Sequence, residues 1–187
     1  CALPISNFMV HKDAGIDSPQ GIAGKRIGVA EYVQSAALWA RGVLEHDFAL
    51  DARKAQWYVE RFGSGSTGEV LGFKPPRDIS VQQTPGGKSL VAMLSAAELD
   101  MAWVGGSAQA QSDAALRPLF SDAVAEGRRF YAAHGYVPAN HMYMVRGSLA
   151  REQPALVANL YRAFCASKTA AQRGLPSGKS SGALFGR

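Results

Sequence analysis

A strand pattern that turns directly into a helix pattern, over residues 21–44 (GIAGKRIGVAEYVQSAALWARGVL), limits what this chain can fold into more than any other feature. Residues 26–30 read as a short β run, and the elbow Glu31, Tyr32, Val33 and Gln34 follows. From Ser35 onward apolar residues recur at Ala37, Ala40, Val43 and Leu44 with the helical period. The first-turn amides of such a helix lack backbone acceptors, and together with the dipole they favour a bound anion, most simply a carboxylate. The same residues have a plainer reading, in which Ser35 is only an N-cap that accepts from Ala37 or Leu38.

The alternation continues along the chain. Strands are expected at residues 7–11, 56–60, 79–83, 100–104 and 117–120, and helices from Ser89, over 121–134 and from about Pro154 to 171. In the 56–60 strand Trp57 and Val59 share one face and Tyr58 takes the other. The helix from Ser89 puts Leu90, Met93, Leu94 and Ala97 on one side. Such alternation argues for an α/β fold with a mostly parallel sheet. Residues 61–77, rich in Gly, Ser and Pro, read as loop. Gly87, Lys88 and Ser89 imitate the end of a phosphate-binding loop, but Gln82 stands where its first glycine is required. Gly105 and Gly106 end the 100–104 strand and would let backbone approach a ligand, because open α/β sheets bind ligands at the carboxyl ends of their strands.

With 187 residues, 47% apolar and 19% charged, the chain is long enough to bury a core. The net charge of +5 is dispersed over sites such as Lys25-Arg26, Arg53-Lys54 and Arg128-Arg129. That is not the dense basic stripe of a nucleic-acid interface, although it suits a small anion. Cys1 and Cys165 give neither a disulfide framework nor a metal spacing, and Cys165 is expected to pack as a small apolar group. His11, His46, His134 and His141 are scattered without ligand spacing, and no serine sits in a hydrolase elbow. No apolar run reaches membrane-spanning length and the start lacks a signal-peptide pattern. The opening CALPIS and the Gly/Ser-rich tail after Gln172 read as non-native or clipped ends, so the chain is expected to be an internal fragment.

In order along the chain, six stretches carry a resemblance: GKRIGVAEY (24–32), SAALWARGVL (35–44), Trp57, SLVAMLSAAELD (89–100), the run Val137, Pro138, Ala139, Asn140, His141, and NLYRAF (159–164). Together they resemble the 4,5-dihydroxyphthalate decarboxylase family. The resemblance implies a type II periplasmic-binding-protein-like fold, in which two lobes with mostly parallel sheets are joined by two crossing strands. Residues 1–23 would be a remnant of lobe one and the first crossing strand, 24–140 lobe two, and 141–187 the second crossing strand and a returning helix of an incomplete lobe one. A cleft needs both walls, so the fragment by itself is expected to be inactive.

The activity implied is aromatic catabolism by a carboxy-lyase that releases CO2 from a hydroxylated aromatic carboxylate. A ring hydroxyl supplies the electrons, so no organic cofactor is called for, and no residue is assigned to a metal, although carboxylates from elsewhere could complete a site. His141 would be the acid, and Glu31 would orient ring hydroxyls or move a proton, unless it is merely a salt-bridge partner. Tyr32, Gln34 and Ser35 would bind carboxylate or hydroxyl, Trp39 would stack on the ring, and Gly105 and Gly106 would offer backbone. Arg41 could clamp a carboxylate bidentately, although on this helix it is expected to face water. The family's arginine-proline turn is replaced here by Gly105, Gly106, Ser107, Ala108 and Gln109, and Val33, Gln34 and Ser35 replace its customary residues after Tyr32. The expected partner is a small anionic aromatic substrate, with no nucleic acid and no membrane, in the cytoplasm. The alternative is a periplasmic solute-binding protein of an ABC-type transporter, which would hold a small carboxylate and meet a permease.

Overall fold

A computed structural model describes residues 4–61, 63, 65–104, 106–139 and 142–173. The chain divides into two units, Ala2–Pro138 and Ala139–Arg187.

The first unit is built on a six-stranded sheet: β1 (Phe8–His11), β2 (Arg26–Val29), β3 (Gln56–Val59), β4 (Ser80–Gln83), β5 (Met101–Trp103) and β6 (Leu116–Pro118). Their order across the sheet is β4-β3-β2-β5-β1-β6. β2 pairs in parallel with β3 and β5, and β3 with β4, whereas β1 runs antiparallel between β5 and β6. The sheet is therefore mixed, with a single reversed strand in its interior. Residues 4–23 contribute to its core, where Ile5, Phe8, Ile16 and Ile22 are fully buried.

One face is covered by α1 (Ser35–Phe48), whose buried Ala36, Ala37, Ala40, Val43 and Leu44 make the stripe seen in the sequence. Ile27, Val29, Trp57 and Val59 meet it from the sheet. Trp57 is wholly buried and its indole N–H donates to Ala52 O at 3.0 Å, so its one polar atom is satisfied. α1 ends at Ala49, in the left-handed region at φ 56°, with Leu50 N donating to Leu44 O at 3.0 Å. The other face carries α3 (Leu90–Ser95) and α4 (Ala108–Ser112), packed through Leu90, Met93, Leu94 and Ala110. Gly28 is required there, because a Cβ would lie 2.6 Å from Leu90 Cδ2 and 2.8 Å from Leu99 Cδ1.

Several local details differ from expectation. Residues 61–77 contain a one-turn helix, α2 (Thr67–Val70), because Ser66 Oγ accepts from Glu69 N at 3.2 Å. Ala97 does not extend α3, since its φ of 56° turns the chain. α5 (Ala123–His134) starts at Asp122, whose Oδ1 accepts from Val124 N and Ala125 N, both at 2.9 Å. It is tied to α1 by Arg129, 2.6 Å from Asp47 and 2.8 Å from Glu126.

The second unit holds α6 (Gly147–Glu152) and α7 (Pro154–Arg173), with Tyr143 stacked on Phe164 at 4.5 Å. Residues 142–146, expected to cross as an extended strand, form no strand. Cys165 is exposed rather than packed. The CALPIS opening through Leu3 and the tail from residue 174 lie outside the described residues.

Candidate functional site

β2 and β3 end side by side, and their carboxyl ends bring two charged groups together. Glu31 follows β2 and is 5% exposed. Its Oε1 lies 3.0 Å from Arg61 Nε, and its Oε2 accepts from Thr67 N at 2.8 Å. Arg61 follows β3, and its own amide donates to Ala30 O at 3.0 Å. A carboxylate buried this deeply needs such partners, and it thereby ties the start of α2 to the elbow after β2.

Tyr32 is buried beside it. The Arg41 guanidinium lies 3.7 Å over its ring, Trp57 meets it edge-on at 5.6 Å, and Phe73 stacks on it at 6.1 Å and 25°. Arg41 Nη1 also donates to Tyr32 O at 2.6 Å. Arg41 is therefore packed against the elbow and does not face water, because an aromatic ring offers its cation a partner that helical spacing alone does not reveal. Burial lowers the Arg41 pKa, opposed by Tyr32, and burial raises that of Tyr32 against the pull of Arg41.

A cavity of about 280 Å³ opens next to these residues. The elbow contributes Glu31, Tyr32 and Val33, the sheet Val59 and Val81, and the covering segment Phe73 and Pro75, with Arg61 and Glu69 also on its wall. The lining is thus mainly apolar, with charge supplied by Glu31, Arg61 and Glu69.

The structure separates the other expected residues from this cavity. Gln34, not Ser35, is the N-cap of α1, and its side chain makes no capping bond. Gln34 Oε1 is buried without a partner among the described residues. Ser35 is exposed as the first helical residue, and among the described residues no side chain caps the amides of Ser35, Ala36 and Ala37. Trp39 is half-buried with its ring 5.9 Å from that of Tyr136. Gly106 is exposed beyond β5, next to Ser107, whose Oγ caps α4 through Ala110 N at 3.4 Å. His141 and Gly105 lie outside the described residues.

Glu31 and Tyr32 thus share one cavity, while Gln34, Ser35, Trp39 and Gly106 do not line it. Sequence reasoning missed Arg61, Glu69 and Phe73. The available signal was that Arg61 directly follows a strand end, which is where open α/β sheets bind ligands. A further unsatisfied group, Thr84 Oγ1, is buried at the carboxyl end of β4. Among the described residues no group of three or more His, Cys, Asp or Glu is placed to hold a metal, and no helix is long and apolar enough to cross a membrane.

A mixed open sheet with helices on both faces, and a charged elbow and cavity where parallel strands end, defines an α/β protein of the open-sheet class. No protein-family model matches the chain. A 4,5-dihydroxyphthalate decarboxylase of Comamonas testosteroni is 31% identical over 169 residues, covering 89% of this chain and 51% of that protein. One of Pseudomonas putida is 38% identical over 97 residues, covering 51% of this chain and 37% of that protein. The chain belongs to the 4,5-dihydroxyphthalate decarboxylase family, and it spans about half the length of the curated relatives it matches.

Proposed function

We propose that the chain is part of an aromatic decarboxylase that releases CO2 from a hydroxylated aromatic carboxylate, with 4,5-dihydroxyphthalate as the first substrate to try. The observation that carries this reading is the 169-residue match to a protein of that name. Both relatives are named decarboxylases, which sets this reading above solute binding for a transporter.

The type II periplasmic-binding-protein-like architecture is part of the proposal. Support comes from β1, which enters the interior of the sheet antiparallel to β5 and β6. Successive right-handed βα units make parallel strands, so a reversed interior strand suits a segment arriving from a second lobe. In this reading residues 24–140 form lobe two. The 187-residue chain by itself binds substrate without turning it over.

The chemistry sets what the residues must do. A ring hydroxyl pushes its electrons into the ring, and the carbon bearing the carboxylate takes a proton from an acid. The carbon–carboxylate bond then breaks, its electrons restore the aromatic ring, and CO2 departs. His141 is the acid in this reading, with Glu31 and Tyr32 at the wall where the ring hydroxyls are held. Gln34, Ser35, Trp39, Gly105 and Gly106 remain candidates for substrate contact, and the uncapped amides after Gln34 suit a carboxylate. No organic cofactor is required, and the enzyme works in the cytoplasm on a small anionic substrate.

The test is CO2 release from a panel of hydroxylated phthalates, assayed for the chain and for the chain extended to the relatives' length. Release by the extended protein supports the reading, and binding by the extended protein without release from any member of the panel overturns it. His141→Ala should bind and fail to turn over, whereas a full rate would remove His141 as the acid.

A further inference from the structure

The cavity beside Glu31 is larger than packing needs, and one of its charged residues is incompletely used. The cavity, of about 280 Å³, opens to solvent beside the buried Glu31, Tyr32 and Val59, so a small ligand can enter it and meet them. It lies just below the roughly 300–1,000 Å³ common for ligand pockets, which fits a single-ring ligand. The nearest approach of Arg61 to Glu31 is through Nε at 3.0 Å, its side chain is 62% exposed, and among the described residues neither terminal nitrogen makes a hydrogen bond. Those two nitrogens form the fork that recognises a carboxylate bidentately. Glu31, 7% exposed in its side chain, holds the Arg61 stem in place from behind.

We propose that this cavity is the subsite for the ring of an aromatic carboxylate, with Arg61 pairing with the carboxylate and Phe73 and Tyr32 forming the aromatic wall against the ring. The aromatic identity of the ligand rests on the decarboxylase reading, while the apolar walls and the free guanidinium fork do not. Phe73 is 40% exposed, so it can serve as a wall without being part of the core. Glu69 also lines the cavity and its charge opposes an anion there. Toward the carboxylate Glu31 is a positioning residue, since there it acts through Arg61.

Phthalate is the probe, because without a ring hydroxyl it has no electron source for decarboxylation and reports binding alone. Titration calorimetry on the 187-residue chain, with folding checked by circular dichroism, should show phthalate binding that Arg61→Gln weakens about tenfold. Phe73→Ala should weaken it several-fold by removing the aromatic wall. Glu69→Gln should tighten it about two- to threefold, a direction that general damage to the fold would not produce. Failure of the folded chain to bind phthalate overturns the subsite, as does binding that neither Arg61→Gln nor Glu69→Gln alters. Phthalate binding with these responses, but no CO2 from hydroxylated phthalates in the extended protein, keeps the subsite and removes the reaction. CO2 release at an unchanged KM in Arg61→Gln keeps the reaction and removes the subsite.

Discussion

Two arginine–carboxylate pairs sit at opposite ends of the parallel part of the sheet and are built in opposite ways. At the amino ends, Arg26 opens β2 and Asp100 immediately precedes β5. Arg26 Nε and Nη2 donate to Asp100 at 3.0 and 2.8 Å, Arg26 N adds a bond at 2.8 Å, and Nη2 also reaches Ala97 O at 2.9 Å. At the carboxyl ends Arg61 comes within 3.0 Å of Glu31 through Nε, beside a cavity, and among the described residues its terminal nitrogens make no hydrogen bond. The buried polar atoms left without partners among the described residues, on Gln34 and Thr84, also lie on segments leaving the carboxyl ends of β2 and β4. A saturated pair closes the sheet, whereas an unsaturated one leaves donors for something else. In the proposed reading the sheet concentrates stability at one end and binding at the other, the division expected of parallel strands.

The largest stability effect should come from the saturated end. Asp100→Ala strips Arg26 of its bidentate partner and leaves the Arg26 amide without its acceptor. For a partly exposed pair the expected loss is about 2–3 kcal/mol in urea unfolding. Phthalate affinity at 25 °C should not change while the protein remains folded. A loss below about 0.5 kcal/mol would remove the contrast.

The reverse pattern is expected at the other end. Arg61→Gln should cost less than Asp100→Ala, because glutamine can still donate to the buried Glu31, which also keeps its bond from Thr67 N, while weakening phthalate about tenfold. An equal stability loss in Arg61→Gln and Asp100→Ala would erase the distinction.

Acid provides a finer probe. Burial pushes the Asp100 carboxyl up, but the hydrogen bonds and charge of Arg26 outweigh it and hold it below its usual value. A carboxyl depressed in the folded state contributes stability in full above its unfolded value and loses it as pH falls through the folded one. Asp100 should therefore stabilise the protein at neutral pH and stop doing so progressively below 3.8. Asp47, raised by burial and lowered more by Arg129 and His134, acts in the same sense. Urea unfolding from pH 7 to pH 2.5 should show a shallower acid limb in Asp100→Asn, with Asp47's share remaining. An unchanged limb would mean that Asp100 carries no linkage.

The smallest effect concerns strain at the closed end. Ala97 holds φ 56° while its carbonyl receives Arg26. Ala97→Gly should raise stability by about 0.5–1 kcal/mol and leave phthalate affinity unchanged. A loss of stability would place the constraint elsewhere.

Much of the framework was legible in the sequence, because its signals are local. The strand at 26–30 and the helix from Ser35 were read almost to the residue, since period-two and helical apolar spacing report burial directly. The opposite faces of Trp57 and Tyr58 follow from the same alternation. What stayed hidden depends on distant contacts. Asp100 is 74 residues from Arg26 and Thr67 is 36 from Glu31, so neither pairing leaves a mark in spacing. The interior place of β1 is a matter of strand order rather than strand propensity. Arg41 was misplaced because the face it packs against is a tyrosine ring outside its own helix. At the site, Glu31 and Tyr32 were legible from their elbow position, while Arg61, Glu69 and Phe73 emerge only when residues after β3 fold beside it.

Hydrogen–deuterium exchange of the 187-residue chain, with and without saturating phthalate, tests the division of labour most directly. The Thr67 amide, which donates to Glu31, and the Arg26 amide, which donates to Asp100, report the two ends separately. Slower exchange confined to residues 31–33 and 65–75, with 97–101 unchanged, is the expected result. Equal protection at both ends, or protection around Asp100 alone, would contradict it.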